Sequence, residues 1–326
     1  MSKFVRVQIF AVLITAVSSL WALKCGTLET SWSEVWAIFT GSTEPLTVLL
    51  RELRLGRVIL ALLAGAALGV SGTILQKILH NDLAAPEIIG ISSGAGCAGL
   101  LLLFFFPESI NLLGVAAFAG GMLAAVTVYL AAWKQGVDPA RLVLSGVAIS
   151  TLFGAFTAMM MMLNSGKLVG IFEFTLGGVS GKGLVEVRQS LPFFAVVFIC
   201  AALMKRRLDI LSLDDSSAAS LGINVELSRL TALALAALAA ATAVSVSGLL
   251  GFVGLMSPHI ARKLGSGSAG KQLLLAGTIG ACLCVTGEWL GRIAAAPREL
   301  PAGVFLSAAG AVFFLILLLG HRRDGI

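Results

Sequence analysis

The sequence predicts an all-α polytopic membrane protein of about ten transmembrane helices. Three observations carry this. Apolar runs long enough to cross about 30 Å of hydrocarbon recur from one end of the chain to the other. Only 12% of the 326 residues are charged, against about 25% in an ordinary soluble domain. The runs themselves are nearly bare of charge, and the mean hydropathy is +0.98.

The ten runs are Val5–Leu23, Val58–Leu75, Ile88–Phe106, Leu112–Trp133, Leu142–Leu163, Leu191–Met204, Leu230–Val246, Leu249–Ala261, Leu273–Ile293 and Val304–Leu319. The sixth and eighth are the shortest. The first has a basic start like a signal peptide. It is longer than a signal core and lacks a small-residue cleavage site, so it reads as a span. An even count puts both termini on one side. With the termini in the cytoplasm, 14 of the 23 Lys and Arg residues lie inside and nine outside, as the positive-inside rule requires. The net charge of +6 therefore reports orientation, and nucleic acid is no expected partner.

Between the runs, Lys24–Arg57 carries Trp32 and Trp36 at interface spacing, then the basic cluster RELRLGR. Asn164–Ser190 is rich in glycine and has room for a short surface helix. Within the runs, Gly65, Gly69 and Gly72, and then Gly90, Gly94 and Gly96, mark close helix packing, which holds helices together in lipid. ALGVSG at Ala67–Gly72 and AVSVSG at Ala243–Gly248 fall in runs of opposite direction, as an inverted repeat would place them. The five cysteines fall mainly inside runs and read as small apolar fillers. Met159–Met162 reads as packing and lipid contact, since four consecutive residues cover all sides of a helix.

The charge-dense exception is Lys205–Arg229, KRRLDILSLDDSSAASLGINVELSR. Ser216–Leu221 reads as a short helix ending at Gly222, a favourable C-terminal stop. A folded polar element between two apolar halves suits display to a soluble partner.

Enzyme signatures are missing: no HExxH, no Ser/His/Asp arrangement, no paired carboxylates in mid-run and no GxxxxGK[ST] phosphate loop. The three histidines, His80, His259 and His321, are far apart, so no metal site is expected. Ion-coupled carriers hold acids or bases in mid-membrane. Here Glu288 is the exception, four residues before Arg292, and an i,i+4 ion pair is the expected reading. A secondary carrier and a membrane-embedded enzyme are thus the disfavoured rivals.

The most specific stretch is GLLGFVGLMSPHIAR, Gly248–Arg262. Three glycines thin one face, and Pro258 is expected to interrupt the helical ladder near the inner surface. This stretch resembles the signature of the FecCD-type permeases, the membrane subunits of ABC importers for iron–siderophore, haem and cobalamin. RLGRVILALLAGAALGVSGTILQ (Arg54–Gln76), NDLAAPEIIGISSGAG (Asn81–Gly96), ARLVLSGVA (Ala140–Ala148) and RELPAGVFLSAAGAVFFL (Arg298–Leu315) resemble further family patterns in the same order. Departures are Asp82 and Val312 where the family has Pro, GSGSAGKQ at Gly265–Gln272 in place of a basic loop, and TGE at Thr286–Glu288 in place of LAD.

The resemblance implies a type II ABC importer permease fold in a single transmembrane domain, residues 1–326, with the coupling segment 205–229 inside it. It implies a second permease copy or a similar chain as partner. It also implies an ABC ATPase dimer holding the ATP and magnesium, with no cofactor in this chain. A periplasmic or lipoprotein substrate-binding protein completes the set, and the setting is the bacterial cytoplasmic (inner) membrane. In the family the segment between spans six and seven forms two short helices in a groove of the ATPase. Here that is Asp209–Val225, centred on Leu213, Ala218, Ala219, Leu221 and Gly222. Arg54, Arg57 and Arg292 match residues that dock the binding protein, and Asp138, Pro139, Ala140 and Arg141 match a cytoplasmic gate. The implied cargo is a ferric siderophore, with haem and cobalamin as alternatives.

Overall fold

In a computed structural model, residues 2–26, 30–40, 44–133, 139–163 and 174–321 are described. Among them regular structure is helical. Helix α1 (Lys3–Lys24) starts at Ser2, whose hydroxyl accepts the Val5 N–H. Two short helices follow, α2 (Trp32–Thr40) and α3 (Pro45–Leu50), the latter with Pro at its first position. A π-turn at Arg51–Leu55 leads into α4 (Gly56–Ile78). Then come α5 (Ile91–Phe105), a 3₁₀ turn at Pro107–Leu112, α6 (Leu113–Ala132) and α7 (Pro139–Leu163). The second half holds α8 (Leu184–Leu211), the six-residue α9 (Asp215–Ser220), α10 (Val225–Ser247), α11 (Val253–Lys263), α12 (Ala269–Ile293) and α13 (Ala302–His321).

Each of the ten anticipated runs lies wholly or mostly on a helix, and among the described residues seven helices are long and apolar enough to cross a membrane. Helices α5 and α13 are shorter apolar helices, and α11 has eleven residues. The described residues thus show an all-helical chain with seven candidate spans and two shorter apolar helices. The reason is local. Gly90 (φ 83°) immediately precedes α5 and Phe252 (φ 65°) immediately precedes α11, both left-handed, so each helix begins after a non-helical approach. The sixth run errs the other way. Helix α8 extends to 28 residues through Pro192, because its polar flanks keep helical geometry beyond the apolar stretch.

The interruption expected at Pro258 is corrected. Helix α11 runs unbroken through Pro258, and the break lies at Gly248–Phe252. Gly248 (φ 63°) ends α10, and the chain stays non-helical until Val253. Pro258, the sixth of the eleven residues, costs one ladder bond without ending the helix, whereas the two positive-φ residues Gly248 and Phe252 cannot be helical.

Helix α4 is the axis of the bundle, packed against α8, α10, α11 and α12, and it is the most buried of the crossing helices. Its glycines make this possible. A Cβ at Gly65, Gly69 or Gly72 would overlap backbone of Gly280, Ala276 or Gly254, so the close-packing reading of these three residues holds. Ser71 adds a hydroxyl bond to the Ala236 carbonyl of α10 at 2.8 Å. The two echoing hexapeptides thus lie on neighbouring central helices.

Candidate functional site

Two polar regions stand at opposite ends of this bundle. At one end, α9 forms a knuckle between α8 and α10. Asp214 caps it, its carboxylate accepting the Ser217 N–H at 3.0 Å and the Ser216 hydroxyl. Those hydrogen bonds from Ser216 and Ser217 pull the Asp214 carboxyl down to about 2. Gly222 (φ 81°) ends the turn in the left-handed conformation that glycine accepts without strain. The anticipated helix is therefore present within a residue at each end, with Gly222 as its stop. The two short helices implied by resemblance are one. Helix α8 runs to Leu211 and α10 starts at Val225, and of the thirteen residues between them only Asp215–Ser220 are helical.

The knuckle is anchored on both flanks. Asp215 pairs with Arg229 of α10 at 2.8 Å, an exposed carboxylate on a buried guanidinium. Asp209 accepts the Ala269 N–H at 2.6 Å. It thereby satisfies the first turn of α12, where Ser268 makes no side-chain cap. Ala218 is buried beneath, while Leu213, Ala219, Leu221 and Gly222 face outward. At the same end Arg262, at the foot of α11, pairs with Asp82 at 2.5 Å.

At the other end the arginines matched to docking residues divide. Arg54 is 7% exposed. Its Nη1 donates to the Leu23 and Lys24 carbonyls and to Thr30 Oγ1 at 2.8–3.1 Å. Arg292 is 3% exposed, and its Nη2 donates to Glu288 at 2.7 Å and to the Ala22 carbonyl at 2.6 Å. The i,i+4 pair expected from sequence is thus present, and it is buried. Both arginines bind orphan carbonyls at the end of α1, which satisfies groups that would otherwise be unpaired. Arg57 stands nearer the surface and meets Glu299 at 2.8 Å. Close by, Lys182 donates to the Val246 carbonyl near the end of α10. Burial lowers its pKa to about 8, against the opposing pull of Glu186.

Of the expected gate, Asp138 lies outside the described residues. Pro139 opens α7, and Ala140 and Arg141 are exposed on its first turn. Most of α7 is exposed, with Leu144, Leu152, Phe156, Met159 and Met162 facing outward. Met160, by contrast, is buried against Leu100 and its neighbours. The contacts made by Asp209 and Asp82 were not read from sequence, where Asp209 marked only the start of the coupling segment and Asp82 only a departure from the family pattern. Single acids in loops carry no spacing signal, and their partners, a backbone N–H and Arg262, are distant in the chain.

The described arrangement offers one exposed, capped knuckle coupled to three helices, and an opposite end closed by buried charge. Comparison with known proteins gives it a setting. The model of the FecCD transport family matches residues 13–320. The chain is 36% identical to the achromobactin transport system permease protein CbrC of Dickeya dadantii, over 98% of this chain and 92% of that one. It is 36% identical to the Fe(3+)-citrate import system permease protein YfmE of Bacillus subtilis, over 99% of each. A solved structure of a metal-chelate type ABC transporter in an inward-facing conformation superposes with a TM-score of 0.84 and 25% identity, covering 97% of this chain and 99% of that one.

Proposed function

The chain belongs to the FecCD transport family, and from that premise we propose that it is the permease subunit of a binding-protein-dependent ABC importer. Its cargo is a ferric siderophore or related iron chelate, in keeping with the relatives named for achromobactin and Fe(3+)-citrate. ATP is hydrolysed on a partner ATPase dimer, and this chain is the non-catalytic path. Both termini and the α9 end face the cytoplasm, where the positive-inside count puts Lys205–Arg207.

The observation that carries the reading is the α9 knuckle. Leu213 and Leu221 are exposed apolar side chains on a polar surface, an arrangement suited to a groove in a soluble subunit. Asp215–Arg229 and Asp209–Ala269 join that surface to α10 and α12. ATP-driven closure of the ATPase dimer pushes the knuckle. The two anchors pass the motion to helices packed on α4, and the path changes its facing. Asp138–Arg141 form the cytoplasmic gate at the foot of α7. The exposed apolar face of α7 meets a second permease copy or a similar chain across the path.

At the outer end Arg57 docks an acidic group of the substrate-binding protein, which takes over from Glu299. Arg54 and Arg292 support that contact from below by holding the end of α1.

The test is co-purification of the tagged chain from its native membrane, with partners identified by mass spectrometry. An ATPase subunit together with a binding protein is the expected result. The captured binding protein is then screened against ferric siderophores, haem and cobalamin. A chain that purifies alone and transports iron chelate with ATP depleted contradicts the reading and favours an ion-coupled carrier.

A further inference from the structure

Between α6, α8 and α10 the surface opens into a groove of about 580 Å³ that no part of the proposed transport cycle uses. Its walls follow helical spacing. On α8 they are Cys200, Leu203 with Met204, and Arg207; on α10, Leu238, Leu235 with Ala234, and Thr231. Each series recurs at i, i+3/i+4 and i+7, the period of one helix face. The two helices run antiparallel, so Arg207 lies level with Thr231 and Cys200 with Leu238. Met122 of α6 completes the wall. The groove is thus apolar along most of its length of about 10 Å and cationic at one end only.

That polarity is what an anionic amphiphile requires. Arg207 is exposed and forms no ion pair among the described residues. Lys205 and Arg206, also exposed, precede it on α8, and Glu226 in the first turn of α10 is the acid nearest in sequence to the Thr231 wall. One helical turn below Arg207 the lining turns to Leu and Met side chains, flexible enough to follow an acyl chain. Tyr129 on α6 and Trp133 just past its end, seven and eleven residues beyond Met122, meet with ring centroids 5.4 Å apart at the same end. Amphipathic rings of this kind sit at headgroup level. Basic residues beside interhelical grooves on the cytoplasmic side are a recognised setting for lipid phosphates.

We infer that this groove is a binding site for one anionic phospholipid, its phosphate on Arg207 and an acyl chain laid between α8 and α10 as far as Met122. The lipid belongs to the leaflet bathing the α9 end. It would brace α8 and α10, the two helices that carry the coupling knuckle, without touching the path.

The experiment is native mass spectrometry of the full chain in mild detergent, titrated with phosphatidylglycerol or with phosphatidylcholine of the same acyl chains. Wild type retains the glycerol lipid in preference. Arg207→Gln, at an exposed position, lowers that retention about fivefold, as one headgroup-level cation should, and lowers retention of phosphatidylcholine, whose choline offsets its phosphate, by less. Ala234→Trp, which fills an exposed part of the groove, lowers retention of both. Arg188→Gln at the far end of α8 alters neither. Equal retention of the two lipids, or identical behaviour of Arg207→Gln and Arg188→Gln, overturns the site. So does retention of neither lipid, which would mean that protein covers the groove.

Discussion

The two ends of the bundle spend charge in opposite ways. At the Arg54 end Arg54, Arg292 and Glu288 are buried; Arg292 pairs with Glu288, and both arginines donate to carbonyls of α1. At the α9 end Asp214, Asp215, Leu213 and Leu221 stand in solvent, and only their anchors reach inward. One end is closed by its charges and the other is held out on them. Substitutions at the Arg54 end should therefore act on folding. Substitutions at the α9 surface should act on partners and leave the fold alone.

The largest effect is expected at Glu288. Its replacement by Ala leaves Arg292 buried beside a lost counter-ion, and breaking a buried pair on one side costs about 3–5 kcal/mol. Thermal unfolding in detergent should show this. The double variant Glu288→Ala/Arg292→Met, which removes both charges, should recover much of the loss. Equal damage in single and double variants would break the account of the pair.

Next is Asp209→Ala. It removes the acceptor for the first N–H of α12 and should cost about 1 kcal/mol, the usual worth of a cap. It should also lower coupled ATPase activity beyond what the stability loss explains, since Asp209 joins the knuckle to α12. Asp209→Asn, which keeps an acceptor, should restore most of both.

The smallest effect is a pH dependence confined to α9. The Asp214 carboxyl titrates at about 2 in the fold, below the value of about 3.9 for a free Asp. A depressed acid stabilises above its unfolded pKa, and that contribution is lost as pH falls from about 4 through 2. Hydrogen exchange at Ser217 should quicken across that window in wild type. In Asp214→Ala, exchange should be fast throughout, apart from its ordinary pH dependence.

Much of this contrast was legible in the sequence. The apolar runs fall on helices, seven of them long enough to cross a membrane among the described residues, because apolar length and sparse charge are local properties. The Glu288–Arg292 pair followed from i,i+4 spacing, and the knuckle from a small-residue stretch before Gly222. What was hidden depended on distant backbone. Nothing in RELRLGR reveals that Arg54 turns inward, because its acceptors are the carbonyls of Leu23 and Lys24, and carbonyls have no side-chain signature. The break in the Gly248–Arg262 stretch lies at Phe252, where proline-based reasoning does not look. A Cβ at Gly310 would meet the Phe252 ring, so α13 leaves space for that side chain. The left-handed backbone there depends on such tertiary packing.

The central claim is that the α9 surface couples this chain to an ATPase. The most direct measurement replaces both exposed leucines, Leu213→Asp with Leu221→Asp, in the assembled importer. ATP-driven uptake into proteoliposomes is then followed alongside the melting temperature of the chain. The account predicts unchanged melting, loss of the bound ATPase subunit and loss of uptake. Unchanged melting with wild-type uptake and ATPase retention would contradict it.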